Sequence, residues 1–443
     1  MQKYFNKIIS DNEADNEIIK GSVIALSLKV VGLILGYCFT LFTAKYFGAK
    51  VLGNFILAFL IVNMGVIISL YGIDTSIVAF FSKNNEGKIN ELSFLKLSYF
   101  FIVTVGLLLT ILFYVTAPIW GVFSPDGQEL FVNFLRILSL LIIPMSLSKI
   151  NSQYLRSKKK IFFFSYFGFI NFYLVALIIL FSMIFFNRGV EILPFSYVSA
   201  AVLTFLLSAY YLKKILTNQK ASVRPTLGLK NILTFSRPIF FSDVLLFINT
   251  WLATFMVGYF LSSSETGVFG LTYKLAAVSS IIISSTNIIN MPKLGEHFGN
   301  SDWKKLGQTF TFSSKLMFWA SLIVNGLIVL CAPFVLSFIG EKFIEGYIPL
   351  IILLFAQQFE SWVGSISALL PMINKQRVLF ILMLLKTILL FTAGIIFIPF
   401  FGMIGGSLTV FLSSAIYMIG IKIYVGKRLH LKFAPLPFIS DHN

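Results

Sequence analysis

Twelve runs of mostly apolar residues follow one another along this chain, at roughly 21–46, 53–81, 94–117, 131–150, 161–186, 192–212, 232–261, 267–292, 305–331, 347–372, 378–398 and 404–426. A run of about 20 such residues is what a helix needs to cross the hydrocarbon core of a bilayer. In lipid only helices and closed barrels satisfy their own backbone polar groups. Barrel strands alternate apolar and polar residues over about 10 positions, and these runs do not alternate. The pattern predicts an all-α integral membrane protein. Composition agrees: of 443 residues, 57% are hydrophobic and 12% charged, with 50 Phe, whereas a soluble chain carries roughly 25% charge.

The formal net charge is +17. Its bases sit in short clusters between apolar runs rather than on one polar domain, which argues for membrane topology and against a nucleic-acid partner. With the N-terminus inside, nearly all lysines and arginines between the runs fall in cytoplasmic segments, and the outer loops hold only Lys50, Arg188 and Lys342. The expectation is therefore a multi-pass protein of the cell inner membrane with both termini cytoplasmic. The strongest inside markers are Arg156, Lys158, Lys159 and Lys160, and the five bases between Lys213 and Lys230. The polar N-terminal segment has no apolar stretch ending in a small-residue cleavage site, so it does not read as a cleaved signal peptide.

Nothing here reads as an enzyme. The outer loops are too short for a folded catalytic domain, and HExxH, GxSxG, GxxxxGK[ST] and CxxC are absent from the sequence. Cys38 and Cys331 both lie in apolar runs without metal-like spacing. Neither a catalytic residue, a metal site nor a cofactor is expected, and the chain is read as moving something rather than converting it.

The longest cytoplasmic connection divides the runs six and six. Its boundaries give a cytoplasmic segment 1–20, an N-lobe 21–212, an inter-lobe loop 213–231, a C-lobe 232–426 and a cytoplasmic tail 427–443. Each half opens alike: Gly53-Asn54-Phe55 recurs as Gly267-Val268-Phe269, and Ser157-Lys158-Lys159-Lys160-Ile161-Phe162 is similar to Asn374-Lys375-Gln376-Arg377-Val378-Leu379. Six spans per half make the repeats parallel, related by an axis along the membrane normal.

The segment Ala44-Lys45-Tyr46-Phe47-Gly48-Ala49-Lys50-Val51-Leu52-Gly53-Asn54-Phe55, with Tyr71-Gly72-Ile73-Asp74, resembles the opening of the polysaccharide transport branch of the MOP exporter superfamily. So do Glu265 to Ala276, Met291-Pro292-Lys293-Leu294, Phe338 to Tyr347 and Ile398 to Gly406. The resemblance covers nearly the whole chain and implies a MOP/MATE-like fold of about twelve spans in two six-helix lobes. It further implies a Wzx-type flippase that carries undecaprenyl-diphosphate-linked oligosaccharide units of O-antigen, capsule or exopolysaccharide to the outer leaflet. The bilayer and other polysaccharide assembly proteins would be its partners. A cation-coupled multidrug antiporter of the same superfamily is the alternative. A membrane polysaccharide polymerase or glycosyltransferase is more remote, because its long external loop or acidic metal motif is missing.

Charges within spans mark pathways, since each costs at least about 2.5–3.5 kcal/mol to insert at the helix centre. Bases far outnumber acids within the runs, the acids being Asp74, Asp243 and Glu360. Lys45, Lys96, Lys149 and Lys422 stand near enough to helix ends to snorkel. Lys29, Arg136, Arg237, Lys274 and Lys386 are the candidate cationic lining of a cleft for an anionic cargo, because phosphate or uronate oxygens replace the water each cation loses. The competing reading is that such bases pair with carboxylates or carbonyls and pin helices together. Asp74, Asp243 and Glu360 are candidates for ion coupling or gating, with H+ or Na+ as the coupling ion; a static pair between Asp243 and Arg237 is the alternative for that position. Pro144 predicts a kink in the fourth span. Gly32 with Gly36, and Gly402 with Gly406, predict close helix packing.

Overall fold

A computed structural model describes residues 13–82, 90–124, 126–185, 189–217, 228–373 and 375–429. Parts of the expected cytoplasmic segments, residues 1–12, 218–227 and 430–443, lie outside them. The described chain is almost wholly helical: α1 Glu13–Leu70, α2 Ile73–Ser82, α3 Glu91–Trp120, α4 Gln128–Ser139, α5 Ile142–Ser157, α6 Ile161–Ser165, α7 Asn171–Phe185 and α8 Ile192–Thr217 precede α9 Leu229–Phe260, α10 Ser263–Ala276, α11 Ser280–Gly299, α12 Trp303–Ile339, α13 Glu341–Ile344, α14 Tyr347–Val363, α15 Ile366–Met372 and α16 Gln376–Leu429. Among the described residues no strand occurs.

Among the described residues nine helical stretches are long and apolar enough to cross a membrane, or ten when α4 and α5, bent by 44°, count as one further span. Two of the nine, Ile24–Phe81 and Gln376–Ile421, are 58 and 46 residues long, about twice what a bilayer takes. Each contains a glycine whose backbone is not helical, Gly48 (φ 79°, ψ 175°) and Gly402 (φ 58°, ψ −136°). Only glycine takes such angles without strain, so the chain turns there between successive spans. Divided at these two points, the described helices account for the twelve spans that the apolar runs predict.

Burial is inverted relative to a soluble protein. Phe400, Phe334 and Leu330 are more than three-quarters exposed, whereas Asn151, Asn171, Ser208 and Ser361 are fully buried. Lipid is as apolar as leucine, so hydrogen bonds and small-residue packing hold such helices together. Asn151 donates to Ser208 Oγ at 2.9 Å, Asn171 to Thr204 Oγ1 at 2.9 Å, and Ser361 to Ser321 Oγ at 2.8 Å.

By packing, the chain forms two compact units. The first comprises Met1–Thr43, Ala58–Trp120 and Glu129–Val244; the second comprises Ala44–Leu57, Gly121–Gln128 and Leu245–Asn443. In the first, α8 packs on α5 and α7, and α5 on α2. In the second, α14 packs on α12 and α16, and α11 on α12, with Leu294, Leu306, Phe310 and Leu369 buried among them. The packing units thus cut across the 21–212 and 232–426 halves of the sequence.

Glycines and prolines act locally as their chemistry demands. Cβ atoms on Gly32 and Gly36 would crowd Phe169 and Tyr173 of the fifth span, so this pair sets a close helix contact. Gly406 packs against Val257 and Phe269, but Gly402 has only one atom within 4.0 Å, Glu265 Oε1. Gly402 serves the turn rather than the expected packing motif. Pro144 cannot donate to the carbonyl four residues before it, and the α4–α5 bend falls there, at Leu140–Leu141.

The second span breaks in the first unit at Tyr71 (φ 49°) and Gly72 (φ 73°). A Cβ on Gly72 would lie 2.8 Å from Ser236 O and 2.9 Å from Phe240 N, so the break seats against the α9 backbone around Pro238. Tyr71 stacks on Phe240 with ring centroids 4.6 Å apart, and the Ser76 and Ser236 hydroxyls meet at 2.7 Å. Gly72→Ala therefore meets both a positive φ and a backbone neighbour. It is expected to destabilise the folded protein by about 1–3 kcal/mol, measured as a lower melting temperature in detergent. Gly299→Ala, with nothing within 4 Å, is expected to leave that temperature unchanged.

Candidate functional site

The break that separates α1 from α2 places a carboxylate at membrane depth. Asp74 lies in the first turn of α2, where the free N–H groups and the positive end of the helix dipole favour negative charge. Asp243 stands on α9, one helix turn past Phe240. Lys149, on α5, is within electrostatic reach of both carboxylates, and these are within reach of each other. One cation therefore faces two anions in the first unit, leaving a formal charge of −1 when all three are ionised. Irregular backbone at membrane depth is tolerated where it is buried in protein or lines a cavity, and broken helices supply ion and substrate sites in transporters.

Sequence reasoning missed Lys149. The apolar run ends at about residue 150, which put Lys149 at a helix end, but α5 continues to Ser157. Buried Asn151, Ser152 and Tyr154 interrupt the run in sequence without ending the helix. Lys149 consequently sits about two turns inside it. Asp243 is grouped with Lys149 and Asp74, not with Arg237. The latter is exposed and extends over the Phe241 ring at 6.0 Å; six residues along a helix turn the two side chains to different faces.

Two other first-unit bases stand apart from this group. Lys29, on α1, is half-buried, and among the described residues no carboxylate pairs with it directly. Arg136 lies in the last turn of α4, 5.5 Å over the Tyr114 ring, and its Nε is buried without a hydrogen-bond partner among the described residues.

In the second unit Glu360 and Lys386 come together. Lys386 Nζ donates to Glu360 Oε1 at 2.8 Å, and Ser414 Oγ donates to the same oxygen at 3.1 Å. Glu360 lies in the last turn of α14, one turn before Gly364 (φ 75°) separates α14 from α15. The sequence points Lys386 to cargo and Glu360 to coupling; the fold makes them a pair. Around it stand aromatics that sequence could not single out. Tyr273 and Tyr417 are within electrostatic reach of Glu360, Lys386 lies 5.4 Å over the Tyr417 ring, and Trp251 contacts Tyr273 at 5.7 Å. Asn249 donates to Thr387 Oγ1 at 2.7 Å, yet its Oδ1, like Gln357 Oε1, is buried without a partner among the described residues. Such orphaned acceptors call for a donor from elsewhere. Lys274, in the last turn of α10, is half-buried.

Residues 18–292 match the family described as polysaccharide biosynthesis protein. No curated protein matches the chain. Among solved structures, it is similar to an inward-facing multidrug resistance MATE family transporter of the MOP superfamily, with TM-score 0.75 and 16% identity over 92% of this chain and 98% of that one. The lipid II flippase MurJ in an inward closed conformation gives TM-score 0.72 and 16% identity over 95% and 94%. A MOP superfamily transporter from Pyrococcus furiosus, described as having a binding pocket of reversed polarity, gives 0.65 and 14% over 93% and 96%. At these identities the likeness establishes the fold, and the MATE/MurJ-like architecture expected from the motifs is the one observed.

The Glu360–Lys386 pair yields a test of its energetics. Removing one partner strands a charge in a largely desolvated place, whereas removing both strands none. Glu360→Gln and Lys386→Met are each expected to lower the melting temperature, and the double variant to recover most of the loss. The double-mutant cycle should give a coupling of about 0.5–3 kcal/mol.

Proposed function

We propose that this chain, which belongs to the polysaccharide biosynthesis protein family of the MOP exporter superfamily, is a flippase for lipid-linked oligosaccharides in the cell inner membrane. Its cargo is an undecaprenyl-diphosphate-linked repeat unit of O-antigen, capsule or exopolysaccharide. The observation that carries this reading is the charge distribution of the spans. All three intramembrane acids are engaged with lysines, Asp74 and Asp243 with Lys149 and Glu360 with Lys386, while Lys29 and Arg136 keep cationic groups at depth. Cations without carboxylates suit an anion such as a diphosphate, whose oxygens take over the hydrogen bonds lost with water. They oppose a cationic drug.

The polyprenyl tail stays in lipid while the headgroup passes through protein by alternating access. Lys29, Arg136, Arg237 and Lys274 serve the diphosphate or acidic sugars. Trp251, Tyr273 and Tyr417 offer ring faces to sugar rings, and the free acceptors of Gln357 and Asn249 receive sugar hydroxyls. The group of Asp74, Lys149 and Asp243 carries a surplus negative charge and binds one H+ or Na+, which couples transport to a gradient. Glu360 enters the same cycle when Lys386 leaves it for cargo. Other polysaccharide assembly proteins supply and remove the glycolipid.

Purified protein in liposomes tests this reading through leaflet-to-leaflet movement of a short polyprenyl-diphosphate oligosaccharide, with and without a proton or sodium gradient. Protein-dependent movement is expected. Lys29→Ala, Arg136→Ala and Lys274→Ala are each expected to slow it about ten- to a hundredfold, the scale of one charge-assisted contact of about 1.5–3 kcal/mol, with no loss of protein from the membrane. Normal rates in all three would remove the cationic-cleft argument. Asp74→Asn, Asp243→Asn and Glu360→Gln are expected to abolish the gradient response, and an unchanged response in all three would end the coupling assignment. Absence of movement together with gradient-driven uptake of a cationic dye would favour a multidrug antiporter.

A further inference from the structure

Gly53 and Gly267 hold equivalent places in the two halves of the sequence, 214 positions apart, and within the second unit they touch. A Cβ on Gly53 would strike the Ser263 carbonyl oxygen and stand 2.8 Å from Gly267 N; a Cβ on Gly267 would strike the Ala49 carbonyl oxygen and stand 2.9 Å from Gly53 N. Ala49 and Ser263 are also 214 apart, and a Cβ on Gly270 would lie 2.6 Å from Ile56, its own counterpart. Exchanging the halves maps this set of contacts onto itself. A local two-fold axis therefore passes between the two glycines, and backbone meets backbone there because neither carries a side chain.

Beside the contact lies a fastening. Asp126 Oδ1 accepts from Ser263 N at 2.8 Å and from Ser263 Oγ at 2.6 Å. Ser124 Oγ donates to Asn54 Oδ1 at 2.6 Å and lies 2.7 Å from Ser263 Oγ. The Asp126 carboxylate thus caps one of the unpaired N–H groups at the start of α10. Burial pushes its carboxyl up, but the Ser263 hydroxyl and N–H, with Lys50 nearby, outweigh that and hold it below the usual range. A depressed value means that the fastening is intact above the ordinary carboxylate pKa and is lost as pH falls through the lowered one.

We propose that this symmetric glycine contact, fastened by Asp126, is the transporter's gate on the face that the charge distribution assigns to the outside. The proposal rests on the alternating-access reading above. Its physics suits a joint that opens repeatedly. Two helix starts meet without interlocking side chains, so separation pulls no large group from a socket. Their backbone groups are bonded within their own helices, and the Asp126 and Ser124 hydrogen bonds exchange for water at small net cost.

A reporter cysteine at Thr266, a buried residue between Glu265 and Gly267, tests the gate in a chain whose Cys38 and Cys331 are replaced by alanine. Labelling from the outer side by a membrane-impermeant maleimide is expected to be slow in the otherwise native chain. Gly53→Ala or Gly267→Ala wedges the contact open, and labelling is expected to rise about tenfold, the scale of one overpacked contact. Asp126→Asn removes the fastening without adding bulk and is expected to give a smaller rise. Gly299→Ala is expected to give none. Unchanged protection in all three gate variants, or labelling in the native chain as fast as in them, would overturn the proposal. Because the readout needs no glycolipid, a responsive gate without glycolipid movement would count against the proposed cargo alone. Glycolipid movement with unresponsive labelling would count against the gate alone.

Discussion

Hydrocarbon offers no partner to a backbone N–H or C=O, and nearly every feature of this protein follows from that. Each crossing must bond to itself along its length, so the chain is helix upon helix. With no hydrophobic drive between helices in lipid, cohesion passes to small residues and to polar pairs such as Asn171–Thr204 and Ser361–Ser321. The same constraint makes any interruption of a helix costly, so each interruption at depth marks a place where packing or local chemistry supports it. Gly72 against the α9 backbone is one. The α4–α5 bend at Leu140–Leu141 is another, and Gly364 between α14 and α15 is a third.

Charge gathers near these interruptions. Asp74 stands two residues after the Gly72 break, Arg136 one turn before the α4–α5 bend, and Glu360 one turn before Gly364. A helix start favours the Asp74 carboxylate and a helix end favours the Arg136 cation, whereas Glu360, a carboxylate at a helix end, is held by Lys386 and Ser414 against the local dipole. The first unit combines an anion-rich group with cations standing apart, whereas the second holds a neutral pair ringed by aromatics.

A local symmetry is the fold's other organising element. The self-mapping contacts of residues 49–56 with 263–270 place a local two-fold axis between Gly53 and Gly267. Two glycines at equivalent positions are thereby explained by one steric demand, the close approach of two backbones.

The sequence by itself determined that this is an all-α membrane protein of many long apolar helices and that Pro144 bends the fourth span. Each of these is local: apolar length, charge between runs, or a missing N–H acts within a few residues of where it is read. Only the tertiary structure decided the partners. Lys149 looked like an end-of-span lysine until α5 proved to continue through polar residues that other helices bury. Asp243 had Arg237 close by in sequence, yet six helical residues turn the two apart and α5 brings Lys149 instead. Lys386 and Glu360 were assigned separate tasks because nothing in a run of apolar residues states which faces of two distant helices will meet. Electrostatic pairing depends on separations of a few ångströms between side chains far apart in the chain, and those separations exist only once the helices have packed.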